Sequence, residues 1–395
     1  MAEKRRIYLD NAATSWPKPA AVYDAVEHYL REIGSPAGRG GYRAAEDAER
    51  IVAGCRKDVA SLFGIADPRN VAFTFNGTDA LNIAIQGALS PGDHVVTTLA
   101  EHNSVLRPLR FLEENASITV TRVPVDEFGV FDPTAVQAAV REETRLVVVT
   151  HASNVTGVVQ PVEEVGALLS ASDALLLVDA AQTAGHLPCN LIKLGADMIA
   201  SPGHKGLLGP LGTGVLVLGE GVADRLRSFR YGGTGTQSED DRQPVTMPEK
   251  LEAGNLNLPG IAGLRAGISY LAEQGIESLH QQTMLLRERL VAGLAPIQGV
   301  TILGPTADLS AALPTVGVLS MTVDGYDPQE VAAMLDSAYG IEVRSGLHCA
   351  PEIHRSLGTF PTGTVRFSVG SFSTEQDIDI AIQAVTEISA AAMSV

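Results

Sequence analysis

Ala174-Leu175-Leu176-Leu177-Val178-Asp179-Ala180-Ala181-Gln182 is the stretch on which the fold turns. Its apolar run is strand length and shows no alternation with polar residues. That is the mark of a strand covered on both faces of a sheet. Asp179 closes the run. Ligands of open α/β sheets bind at the carboxyl ends of the strands, so Asp179 is a candidate ligand contact. By itself it is equally at home as a cap for the next segment.

The same grammar extends in both directions. Residues 71–74, 95–98, 118–123 and 146–150 are further short apolar runs. Helical patterns at 78–87, 104–115, 133–140 and 162–170 separate them. This alternation predicts α/β architecture, with a mostly parallel sheet and helices on both faces. Residues 198–200 and 214–218 look like further strands with no long helix between them. Beyond about residue 220 the character changes: 232–237 is rich in Gly and Thr, 238–241 is polar, and both predict loop. Two helices (261–274 and 276–294) lead into a smaller α/β layer at 316–321, 328–337, 341–343, 365–368 and 374–389. Helical patterns also lie ahead of the sheet, at 19–32 and near 44–63.

A chain of 395 residues is long for one hydrophobic core and implies two domains, with a boundary near 260. The net charge of −17 argues against non-specific binding to nucleic acid or anionic membranes. Cys55, Cys189 and Cys349 do not make a disulfide set. Cys55 falls in a helical pattern and Cys189 follows Pro188 in a loop, so both read as small buried hydrophobes. Neither a secretory leader nor a run of membrane-spanning length is evident, so a cytoplasmic protein with reduced thiols is expected.

Chemistry gathers at a few places. Ser201-Pro202-Gly203-His204-Lys205-Gly206 puts a lysine at the end of the next strand pattern, between glycines that suit a tight turn. A lysine of lowered pKa forms an imine with an aldehyde cofactor. Pyridoxal phosphate (PLP) also needs a carboxylate against its ring nitrogen, a part Asp179 suits. Asn76-Gly77-Thr78-Asp79 opens a helix whose N–H groups and Thr hydroxyl suit a phosphate, or simply cap the helix. Arg344-Ser345-Gly346-Leu347-His348-Cys349-Ala350-Pro351 places a cysteine beside His and Arg in a loop, as a reactive thiolate requires. Arg366 falls inside a strand pattern, where a buried charge needs a partner: a substrate carboxylate or a structural acid. No metal-ligand pattern stands out.

Taken together, these residues resemble the class V aminotransferase group of fold-type I PLP enzymes, in the cysteine desulfurase and selenocysteine lyase branch. The resemblance runs nearly end to end. It begins at Tyr8-Leu9-Asp10-Asn11-Ala12-Ala13-Thr14 and passes through Glu101-His102-Asn103 and His151-Ala152-Ser153-Asn154-Val155-Thr156-Gly157. It continues through 178–182, Gly203-His204-Lys205 and Glu252-Ala253-Gly254-Asn255 to the Cys349 loop.

The resemblance implies a large PLP-binding domain at 15–260. Residues 1–14 and 261–395 would form a small domain carrying the Cys349 loop and the carboxylate-binding arginine. Lys205 is similar to the Schiff-base lysine and proton shuttle, and Asp179 to the partner of the pyridine nitrogen. Gln182 and Asn154 would lie near the phenolic oxygen, and His102 would stack on the ring. Gly77, Thr78 and His204 would hold the phosphate. Arg366 would take the substrate carboxylate, with Asn11, Ala12 and Asn154 close by, and Cys349 would attack the substrate sulfur.

The implied reaction turns L-cysteine, or a related amino acid, into alanine and a persulfide on Cys349. Such enzymes are usually homodimers, and those with a compact loop commonly hand the sulfur to an acceptor protein. A selenocysteine lyase would use the same apparatus. A C–S lyase in which Cys349 is incidental, an aminotransferase, and a silent scaffold for sulfur transfer are the other readings. Three positions depart from the pattern. Pro202 replaces a common phosphate-binding Ser, Asn255 replaces a Thr that reaches a neighbouring subunit, and Asn103 replaces a second His. The Gly232–Thr236 stretch is a substitute source of the missing hydroxyl.

Overall fold

In the computed structural model, residues 5–38, 40–236, 239–306 and 313–393 are described. Of the segments read from sequence, Gln237 and Ser238 of the loop and both extreme ends of the expected small domain lie outside them. The strands, in chain order, are β1 (Ile7–Tyr8), β2 (Val71–Thr74), β3 (His94–Thr98), β4 (Thr119–Val123), β5 (Thr144–Thr150), β6 (Leu175–Asp179) and β7 (Met198–Pro202). They continue with β8 (Gly214–Leu218), β9 (Val300–Leu303), β10 (Val318–Val323), β11 (Ile341–Glu342), β12 (Arg344–Gly346) and β13 (Thr364–Ser368).

Seven strands form the main sheet in the order β2-β8-β7-β6-β5-β3-β4. Every residue of β2, β3, β6, β7 and β8 is buried. Alternation within the strands feeds two cores. Val147, Val149, Leu176 and Val178 enter one, while Leu146, Val148, Leu175 and Leu177 enter the other. The helices Gly77–Ala88 and Asn103–Asn115 cover the second face. Helices Arg43–Phe63, Val162–Leu169 and Leu258–Gln274 cover the first. Unbroken apolar runs are therefore the physical requirement of a sheet sandwiched on both sides.

β8 is the one strand of this sheet that runs against both of its neighbours, β7 and β2. The reason is the short link from β7. A parallel return would need a crossover of a dozen or more residues, usually a helix, whereas residues 203–213 form only a loop. The strand order reverses between β3 and β5, the kind of switch point at which α/β sheets open a crevice.

The second layer is the antiparallel sheet β12-β13-β10-β9, backed by helices Ile276–Leu294 and Glu375–Ala392. β1 pairs in parallel with β11, and Leu9 N–H donates to Glu342 O at 2.9 Å, so the chain's opening residues share this layer's core. The pattern read as one helix over 328–337 divides into helix Pro328–Met334 and a wider π-type segment Leu335–Tyr339. Leu258–Gln274 straddles the expected boundary near 260 and buries Leu264, Ile268 and Leu271 in the main-sheet core. No helix among the described residues is long and apolar enough to cross a membrane.

Candidate active site

Lys205 follows β7 in a turn with no spare room. A Cβ at Gly203 would lie 2.2 Å from Thr213 Oγ1, and one at Gly206 would lie 2.2 Å from the Ala184 carbonyl. The glycines let the backbone pass close to its neighbours there and leave the lysine half-buried. Burial lowers its pKa to about 8, opposed by the charge of Asp179. An amine of lowered pKa is a competent nucleophile towards an aldehyde. Asp179, the last residue of β6, accepts from Ala181 N–H at 2.9 Å. Burial pushes its pKa up, while that hydrogen bond and the Lys205 charge pull it down.

Both residues face one cavity of about 220 Å³ at the carboxyl ends of the strands. Gly77 and Thr78 form part of its wall at the N-terminus of helix Gly77–Ala88. Asn76 caps that helix, its Oδ1 accepting from Asp79 N–H at 2.9 Å, which leaves the first N–H groups of the turn for a ligand. His102 caps the next helix. Its Nδ1 accepts from Ser104 N–H at 3.1 Å, and burial drives its pKa to about 3, so the ring is neutral. The Ser104 hydroxyl lies 2.8 Å from His102 Nδ1 and 2.7 Å from Thr78 Oγ1, linking the two walls.

The second layer closes the cavity. Arg366 is 1% exposed; it donates to Asp10 Oδ1 at 2.9 Å and to the Asn154 carbonyl at 3.2 Å. Its Nε has no protein partner. Arg344 stands directly opposite Arg366 across the β12–β13 pair, and both line the cavity. Two like charges in register repel. Asp10 pairs with only one of them, so the mouth keeps a net attraction for an anion.

Cys349 lies just outside this lining, with its Sγ 3.5 Å from Arg344 Nη2. It is partly exposed. His348 and Cys349 both adopt left-handed backbone, φ 49° and 58°, a conformation that side chains other than glycine tolerate at a cost. Asn154 Nδ2 donates to the His348 carbonyl and Asn103 N–H to the Cys349 carbonyl, each at 2.7 Å, and these bonds hold the strained turn. Asn103, one of the three departures, therefore serves the cysteine loop through its backbone.

Of the residues singled out from sequence, Lys205, Asp179, Gln182, His102, Asn154, Gly77, Thr78, His204, Ala12 and Arg366 line this one cavity. Asn11 does not: its side chain donates to the Ser368 carbonyl and accepts from Trp16 N–H. Pro202 lines it too, and a Cβ at Gly77 would lie 3.0 Å from Pro202 Cδ. Asn255 and Thr234 lie elsewhere, together in a separate cavity of about 950 Å³. Sequence reasoning passed over Ser104, although its place two residues after a helix-capping His was a usable signal. Arg344 entered only as a neighbour of Cys349, because its register against Arg366 has no local signature.

The donor set fits PLP. A buried carboxylate, an amine of lowered pKa, a neutral His and a helix N-terminus converge on one space. His204 also lines it, with a buried Nδ1 that has no protein partner. Among the described residues no cluster of His, Cys, Asp and Glu is arranged to hold a metal ion.

Comparison with known proteins points the same way. A probable cysteine desulfurase of Methanothermobacter thermautotrophicus is 39% identical over 97% of this chain and 94% of its own. The apo structure of a cysteine desulfurase from Thermococcus onnurineus superposes with a TM-score of 0.90 at 33% identity, covering 98% of this chain and 95% of that one. An Escherichia coli cysteine desulfurase superposes with a TM-score of 0.86 at 26% identity, over 97% and 94% of the two chains. The model of the aminotransferase class-V family matches residues 7–380, and the chain belongs to that family.

Proposed function

We propose that this chain is a PLP-dependent cysteine desulfurase, taking the sulfur of L-cysteine onto Cys349 and releasing L-alanine. The observation that carries this reading is the convergence of Lys205, Asp179 and Arg366 on one cavity, with the Cys349 thiol at its rim. Lys205 would hold PLP, Asp179 its ring nitrogen, His102 its face, and Gly77, Thr78 and His204 its phosphate. Gln182 and Asn154 would contact its oxygen. When bound, the group supplies an electron sink for charge developing at the substrate α-carbon.

The chain's own residues do the rest. Arg366, with Ala12 beside it, takes the substrate carboxylate in a bidentate fork and so orients the α-carbon towards Lys205. Lys205, with its pKa near 8, takes and returns a proton close to neutral pH. Arg344, with its Nη2 3.5 Å from the Cys349 sulfur, orients that sulfur for attack. One S–S bond forms and one C–S bond breaks. Both sulfurs end at the persulfide level, and the substrate β-carbon takes the electron pair and a proton.

The same reading extends to the division into domains at 15–260 and at 1–14 with 261–395. It extends also to a homodimer, a sulfur-acceptor protein and a cytoplasmic setting suited to the three free cysteines. Incubation with PLP, L-cysteine and a reductant tests it. Sulfide and alanine in equal amounts are expected, with turnover lost in Cys349→Ala while the visible absorbance of bound PLP persists. Pyruvate and ammonia, or full turnover in Cys349→Ala, would replace this reading with that of a C–S lyase.

A further inference from the structure

Lys18 sits in Trp16-Pro17-Lys18-Pro19, ahead of helix Ala20–His28. A lysine between two prolines in a connecting segment reads as a solvated side chain. The fold turns it inward instead. Its ammonium donates to Ser15 Oγ and to the His204 carbonyl, each at 2.7 Å. No carboxylate lies within ion-pair distance of it among the described residues, and burial lowers its pKa to about 8. An ammonium half-buried without a counter-charge is costly. What it touches is the backbone beside Lys205.

The whole segment converges there. Besides Lys18, the His204 carbonyl receives Ser15 N–H and Thr14 Oγ1, both at 3.1 Å. The Ser15 hydroxyl, which accepts from Lys18, donates to the Lys205 carbonyl at 2.8 Å, with the His204 carbonyl 3.2 Å away. These two carbonyls belong to the peptide groups on either side of the Lys205 α-carbon. Fixing both planes fixes the direction in which the Lys205 side chain leaves the backbone, and with it the approach of Nζ to the cavity.

We propose that Lys18, acting with Ser15, is a positioning residue for Lys205, clamping the two peptide groups that flank it from the side away from the substrate. The proposal rests on Lys205 being the lysine that holds PLP. A plain staple of the N-terminal segment would stabilise the fold without governing Lys205.

The test compares Lys18→Met, Lys18→Arg and Ser15→Ala with wild type, using Lys205→Ala as control. In the apo-protein, hydrogen exchange is followed over residues 203–206 and over helix Ile276–Leu294. In the PLP-loaded protein, the readouts are the pH midpoint of the visible band, kcat and KM, and the site of PLP trapped by borohydride. Lys18→Met and Ser15→Ala are expected to speed exchange at 203–206 by about ten-fold and leave the helix unchanged. They shift the pH midpoint and lower kcat on the order of 10–100-fold with little change in KM. Lys18→Arg, which keeps charge and donors, restores most of this.

Wild-type exchange and midpoint in Lys18→Met, or equal loss of protection in the helix, would overturn the clamp. Where Lys18→Met does not fold, either of those results in Ser15→Ala overturns it equally. PLP still trapped on Lys205→Ala would instead remove the reading of Lys205 on which the clamp depends.

Discussion

Glu101 shows what one buried carboxyl does to the pH dependence of the fold's stability. It joins the ends of β3 and β5, its Oε1 accepting from Thr98 Oγ1 at 2.7 Å and from Thr150 N–H at 3.0 Å. Burial pushes its pKa from 4.5 up to about 8. Between those values the native state keeps a proton that the unfolded chain has lost, so stability falls as pH rises through that window. Glu101→Gln removes the titration. The denaturant midpoint of wild-type apo-protein, relative to this variant, is expected to drop from pH 5 to pH 8. A constant difference would mean that Glu101 is ionised throughout. Glu101 was visible in the sequence only as the neighbour of His102. Its burial comes from two strand ends meeting across the sheet, which no local pattern records. The contact of Lys18 with the His204 carbonyl and the register of Arg344 against Arg366 were hidden for the same reason, since those partners lie far away in the chain. Asp179 and Lys205 were legible because each sits at the end of a strand that announces itself.

Elements carry predictions of their own. The helix Gly77–Ala88 presents its N-terminus to the cavity and depends on the Asn76 cap. Asn76→Ala is expected to cost about 1 kcal/mol in urea unfolding and to weaken PLP binding in an equilibrium titration. Unchanged PLP affinity would separate the cap from the phosphate site. The turn after β7 is less forgiving. Gly206→Ala drives a Cβ against the Ala184 carbonyl, which is backbone and has nowhere to go. A loss of roughly 1–3 kcal/mol is expected, together with loss of the visible band of bound PLP. The strands of the main sheet were legible because burial on both faces demands unbroken apolar runs. β1 and β12, with 2 and 3 residues, are too short to leave such a trace, and β12 carries the arginine that faces Arg366. The reversal of β8 was implicit in the short β7–β8 link.

Across the whole molecule, distant segments are locked by buried polar pairs. Arg56 of helix Arg43–Phe63 donates to both carboxylate oxygens of Glu252 at 2.8 and 3.0 Å, and Glu252 Oε1 also accepts from Phe73 N–H in β2 at 2.7 Å. Both side chains are about nine-tenths buried. Arg56→Met strands the carboxylate, and an unfolding loss of about 3–5 kcal/mol is expected. A loss below about 1 kcal/mol would show the pair to be solvated. A large, mostly parallel sheet followed by a smaller α/β layer was read from the order of patterns, but the antiparallel pairing of that layer was not. The membership of the opening residues in the smaller layer came from the family resemblance, and their route there is the parallel pair β1–β11. That pairing has a consequence for synthesis. Ile7 and Tyr8 are made long before their strand partners, Ile341 and Glu342. The nascent chain must carry these two residues unpaired while the main sheet assembles behind them.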